Sequence, residues 1–130
     1  MKSFEPVYKE LEYLFIEKLP EYIEKINIEH NDNIILKPFL NTKLNEDCLR
    51  QPCFIFGIAE TEYSEKDRII ENTVFNVYFE IKISINEKNK ISVLWRYIEA
   101  INMMLKECDS LESLSIKEIK QNQIYLKITL

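Results

Sequence analysis

Between Val74 and Ile85 the chain reads VFNVYFEIKISI, and apolar side chains take every second place: Phe75, Val77, Phe79, Ile81, Ile83 and Ile85. Asn76, Tyr78, Glu80, Lys82 and Ser84 fill the places between them. Successive side chains of a β-strand point to opposite faces, so this run buries one face and offers the other to water or to a partner. It exceeds the usual strand of about five or six residues. A charged stretch precedes it and a helical pattern follows, so the long strand fixes the fold class more firmly than any other feature.

A length of 130 residues suits one domain, 1–130, and 46% hydrophobic residues are enough to build a core. The formal net charge of -5 argues against non-specific binding to phosphate backbones, so no nucleic-acid partner is expected. No apolar run approaches the roughly 18 residues that span a bilayer. Glutamates in MKSFEPVYKELEY stand where a signal peptide has its apolar core. The expected setting is a reducing cytoplasm without membrane attachment. Cys48, Cys53 and Cys108 are an odd set without the look of a disulfide framework, and Cys53, which leads an apolar run, and Cys108, which closes an amphipathic one, are expected to be buried thiols. Their spacing fits no zinc pattern, and His30 is the only histidine.

Phe4, Val7, Tyr8, Leu11, Leu14, Phe15, Leu19, Tyr22, Ile23 and Ile26 recur at helical steps. The stripe keeps its phase across Pro20, which predicts one kinked helix or two short helices end to end. Asn31-Asp32-Asn33 supplies the stop. Ile34 to Phe39 reads as a brief strand cut by Pro38, and Asn41 to Gln51 as a loop. Pro52 opens a strand that is apolar on both faces from Cys53 to Ile58, as a central strand would be, and then turns polar and projects beyond the sheet. Gly57, the only glycine, predicts a bulge or a close backbone approach in mid-strand. Ser64 to Asn72 is a charged connection that makes a long antiparallel hairpin with the following strand. Ile91, Leu94, Trp95, Ile98, Ile101, Asn102, Leu105 and Cys108 trace a second amphipathic helix, with Trp95, Met103 and Met104 expected in the core. Leu114 to Ile119 and Ile124 to Leu130 are strands around a polar turn. Together these predict an α+β domain: a mainly antiparallel sheet of about four strands with two amphipathic helical segments packed on one face.

Little in the chain points to catalysis. His30 lies between Glu29 and Asp32, where a general base held by a carboxylate is one reading and a solvated helix end the favoured one. One glycine cannot build a phosphate-binding loop. Glu60, Glu62, Glu65, Asp67 and Glu71 are acidic enough to hold a divalent cation, yet their order matches no calcium loop, and a solvated turn paired with Lys66 and Arg68 is expected instead. No cofactor and no enzymatic activity are expected. Tyr78, Glu80 and Lys82 share the polar face of the long strand, and tyrosine is enriched where subunits meet.

The stretch RQPCFIFGIAETEYSE, the charged tip after it, and FNVYFEIKISINEKNKISVLWRYIEAINMMLKE resemble the small tail-terminator and tail-completion proteins of phages and prophages. The opening helix, the proline-led strand, the charged hairpin and the alternating strand follow in that family's order, then a polar turn and an amphipathic helix. The likeness spans most of the chain and is one of pattern, with no catalytic motif. Two closing strands here, where the family has one, and the proline in the first helix depart from it. The resemblance implies a structural protein of the host-cell cytoplasm or virion. It would self-associate, commonly as a hexameric ring, capping the tail tube and meeting the head connector. Closed rings use heterologous contacts. Candidate interface residues, chosen from their placement in the chain, are Lys66, Asp67, Arg68, Tyr78, Glu80 and Lys82.

Two other readings compete. A small protein-binding or immunity-type module, monomeric or dimeric, would present its acidic surface to a basic target. An enzyme would use the Glu60 to Glu71 cluster with a metal.

Overall fold

The computed structural model describes residues 4–39, 43–44, 52–84, 87–107, 114–120 and 122–129. Its first layer is helical from Phe4 to His30: α1 (Phe4–Glu12), a π-helical segment (Tyr13–Lys18) and α2 (Leu19–His30) follow one another without a gap. Pro20 explains the π segment. A proline lacks the N–H for an α-helical bond, and its ring strikes the carbonyl four residues back. Just before it the Leu19 amide donates to Leu14, five residues back, which widens the turn while Leu14, Phe15 and Leu19 stay buried. The helix ends at Asn31, whose left-handed backbone (φ 43°, ψ 51°) lets its amide donate to the Asn27 carbonyl at 3.1 Å.

Residues 34–39 form no strand. Side chains satisfy the backbone here in place of a ladder. Asn27 Nδ2 donates to the Leu36 carbonyl at 3.0 Å, and the Leu36 amide donates to Asn27 Oδ1 at 2.7 Å. Arg96 donates to the Ile34 carbonyl at 3.0 Å, and the Tyr97 hydroxyl to that of Lys37. Most of Asn41 to Gln51 lies outside the described residues; Leu44, inside them, is buried.

Among the described residues the sheet has four strands: β1 (Cys53–Lys66), β2 (Ile69–Lys82), β3 (Leu114–Lys120) and β4 (Gln123–Thr129). Their order is β1-β2-β4-β3 and every neighbouring pair is antiparallel. β1 is therefore an edge strand, not the central one its apolar first half suggested. Its inward residues Phe54 and Phe56 pack under the helices, and its other face gains cover from neighbours such as Tyr78. β2 starts at Ile69, earlier than the alternation indicated, and ends at Lys82. The hairpin closes over two residues, Asp67 (φ 53°) and Arg68 (φ 66°), in the left-handed geometry that matches strand twist. β4 pairs with β2 only between Val74 and Glu80, so the hairpin from Tyr63 to Thr73 projects beyond the sheet, as expected.

Helix α3 (Lys90–Glu107) completes the helical layer. Its pairs with the first helix, Lys25 with Glu107, His30 with Glu99 and Asp32 with Arg96, run in opposite sequence directions, so α2 and α3 lie antiparallel. Both pack on the β2 face carrying Val77, Phe79 and Ile81, with Ile124, Leu126 and Ile128 from β4 beside them. The buried stripe of α3 is Val93, Tyr97, Ile98, Ala100, Ile101 and Met104. Trp95 is 56% exposed, not a core residue. The stripe lies rotated from the expected one because Tyr97, whose hydroxyl finds the Lys37 carbonyl, and the small Ala100 occupy the contact line. Cys53 is buried but disulfide-bonded, so the thiol expectation fails there; Cys48 and Cys108 lie outside the described residues. No helix among the described residues is long and apolar enough to cross a membrane.

Candidate functional site

The register sorts the side chains of the sheet into two faces. On the outer face Gly57 of β1 stands opposite Tyr78 of β2, and Asn76 and Tyr78 stand opposite Lys127 and Tyr125 of β4, whereas Ile124, Leu126 and Ile128 point to the helices. No described helix covers the outer face. Its centre is aromatic: the Tyr78 and Tyr125 rings lie 5.9 Å apart, inclined by 36°. Gly57 makes the Tyr78 position possible. A Cβ at Gly57 would lie 2.4 Å from the Tyr78 ring, so the ring rests directly over the β1 backbone. This is the close approach that the lone glycine predicted; the bulge lies beyond it, between Ile58 and Glu60.

A polar rim surrounds the two rings. Lys82 Nζ is 3.2 Å from Glu80 Oε1, and Asn122 Nδ2 donates to the same oxygen at 3.4 Å and to the Ile81 carbonyl at 3.1 Å. The Tyr125 hydroxyl donates to Gln123 Oε1 at 2.6 Å. Asn76 is 4% exposed; its Nδ2 donates to Glu62 at 3.5 Å and its Oδ1 is buried without a partner among the described residues. Rings with a polar tip inside a polar rim make a surface suited to protein contact, where tyrosine joins apolar area to a hydroxyl.

Of the expected interface residues, Tyr78, Glu80 and Lys82 are thus brought together. Lys66, Asp67 and Arg68 sit at the exposed hairpin turn, ten residues from Tyr78 along β2 and so roughly 30 Å away at strand rise. They lie apart from the aromatic face. Tyr125 and Gln123 were not among the expected residues. The alternation of Ile124, Leu126 and Ile128 already assigned Tyr125 to the polar face of its strand, but only the pairing of β4 with β2 sets it against Tyr78.

Elsewhere the surface offers less. Ile91 and Trp95, one helical turn apart, are both exposed on α3. A cavity of ≈ 50 Å³ lined by Ile35, Lys37, Pro52, Ile83, Ser84, Glu87, Val93 and Tyr97 is far smaller than the roughly 300 Å³ at which ligand pockets begin. Among the described residues no three His, Cys, Asp or Glu side chains gather as metal ligands would. His30 ends α2 with Nε2 3.2 Å from Glu99 Oε2, a carboxylate of α3 and not its sequence neighbours.

Beside it Arg96 holds Asp32 through two bonds, of 2.8 and 2.5 Å. Those bonds and the Ile34 amide hold the Asp32 carboxyl well below the usual carboxylate range. A carboxyl lowered by folding contributes stability that is in place above its unfolded value, about 4, and is lost as pH falls through the folded one. Asp32→Asn therefore melts below the wild type at pH 7, and the gap closes as pH drops from about 4 towards 2. Thermal melts of both proteins across that range measure this, and a gap independent of pH would contradict it.

No protein-family model matches the chain, and neither a curated protein nor a solved structure matches it.

Proposed function

We propose that this chain is a structural assembly protein that works by contact with other proteins, its own copies first. In this reading it forms a closed ring of the tail-terminator kind, capping a tail tube and offering a surface to a head connector. The observation that carries the reading is the aromatic, polar-rimmed outer face of the sheet, which runs along β1 and β2 into a projecting charged hairpin. Such a layout gives one subunit two distinct contact regions, as a head-to-tail ring requires. The acidic charge of -5 favours a second reading, a monomeric or dimeric module that covers a basic partner.

Light scattering coupled to size exclusion, run over a concentration series, separates the two. The ring reading expects a species near six times the 15.6 kDa chain mass, or a rise towards it with concentration. A constant monomer or dimer mass rejects the ring and leaves the binding module.

A further inference from the structure

Among the described residues the order β1-β2-β4-β3 places β1 and β3 at the two edges of the sheet. With every pair antiparallel, four strands alternate in direction, so the two edges run oppositely. A second copy set beside the first, with its helices on the same side, therefore brings β3 against β1 as an antiparallel pair. The sheet continues across the junction without a change of pattern, in the pairing mode that is the more stable per residue. Two copies joined by one pair of like edges, β1 to β1 or β3 to β3, would instead form an isologous contact that closes as a dimer and does not repeat head to tail.

The charges on the edges select between these modes. β1 carries Glu60, Glu62 and Glu65 against one lysine, Lys66. β3 carries Lys117 and Lys120 against Glu118. Like charges opposed across strands destabilise a pair and unlike charges stabilise it, so β1 is mismatched to itself and matched to β3. Each edge also leaves an isoleucine out of its own core. Ile58 is 51% exposed and Ile119 37%, and both sit on the helix side, opposite Val77 and Ile124 respectively. An antiparallel register that sets Ile119 against Ile58 brings Lys117 beside Glu60, across the bulge that each strand carries there, between Ile58 and Glu60 in β1 and between Ile116 and Glu118 in β3. One alignment thus covers both apolar side chains and opposes two unlike charges.

We infer that copies of this chain join edge to edge, β3 of one to β1 of the next, through Ile119–Ile58 and Lys117–Glu60. The inference rests on the self-association proposed above and names the surface that carries it. Both charged residues are exposed, so their reversal leaves the fold intact, which equal melting temperatures verify. Light scattering then reads assembly. Lys117→Glu alone and Glu60→Lys alone each weaken association about tenfold, since each turns an attraction into a repulsion. The double variant restores it, because every junction uses each residue once. An assembly unmoved by either single reversal, or one that the double variant fails to restore, overturns the edge contact while the ring stands. A wild type that stays monomeric at every concentration overturns both.

Discussion

Phe79→Ala is expected to remove about 3–5 kcal/mol of unfolding free energy. Total stabilities are about 5–15 kcal/mol, so this one truncation takes a large share. The size follows from position. Phe79 is fully buried in a central strand and its ring stacks on Phe15 with centroids 3.8 Å apart and planes within 11°. Phe54 and Phe56 of β1 meet the same ring at 5.8 and 5.3 Å. Four aromatic rings therefore join the π-helical segment, the edge strand and the central strand at one point. Alanine leaves a cavity that none of the three elements can close alone, and the loss exceeds the transfer energy of the ring by the cavity cost. Trp95→Ala removes a larger side chain and is expected to change stability by less than about 0.5 kcal/mol, because Trp95 is largely in water. Denaturant midpoints of both variants measure the contrast. A small loss at Phe79 would mean that helix and sheet are held together elsewhere.

That contrast also marks where the sequence was legible. Phe79 could be placed in the core because a period of two leaves no doubt about which residues share a face. Trp95 could not, because the apolar residues of α3 cover more than one stripe: Ile91, Leu94 and Trp95 compete with Val93, Tyr97 and Met104. Periodicity yields the existence of a buried face, and the tertiary partner chooses among close rotations of it. Here the partner is the segment after α2, where the Lys37 carbonyl accepts the Tyr97 hydroxyl.

The edge position of β1 was hidden for a related reason. An apolar run on both faces suits a central strand, yet Gly57 lets Tyr78 cover the outer side of β1 from the neighbouring strand, so an edge strand acquires the composition of a central one. The hairpin turn was hidden too. Asp67 and Arg68 both adopt positive φ, which Asp tolerates and Arg seldom does, so the usual Asn-Gly or Asp-Gly signal was missing and the turn read as a longer loop. The outer face was half legible: Tyr78, Glu80 and Lys82 followed from alternation alone, while Tyr125 needed the non-local pairing of β4 with β2, which no local pattern encodes.

Segment 34–39 shows the same limit and supports the other large effect, in Asn27→Ala. The strand-like composition of ILKPF is satisfied by side chains of two helices, and Asn27 contributes most. It donates to the Leu36 carbonyl and accepts from the Leu36 amide, doing for that residue what a neighbouring strand would do. Leu36 is 2% exposed, so water cannot replace either bond. Truncation leaves a buried donor and a buried acceptor unpaired, and the expected loss is about 1–3 kcal/mol. Asn27→Asp separates the two bonds. The carboxylate still accepts from the Leu36 amide but has nothing to donate to its carbonyl, so its effect falls between wild type and alanine. Hydrogen exchange at Leu36 provides the local readout. The amide exchanges fastest in the alanine variant, and in the aspartate variant it keeps most of its protection although the protein is less stable. If both variants exchanged alike at Leu36, the Arg96 and Tyr97 bonds on either side would be enough to hold the segment, and the amide pair would contribute little.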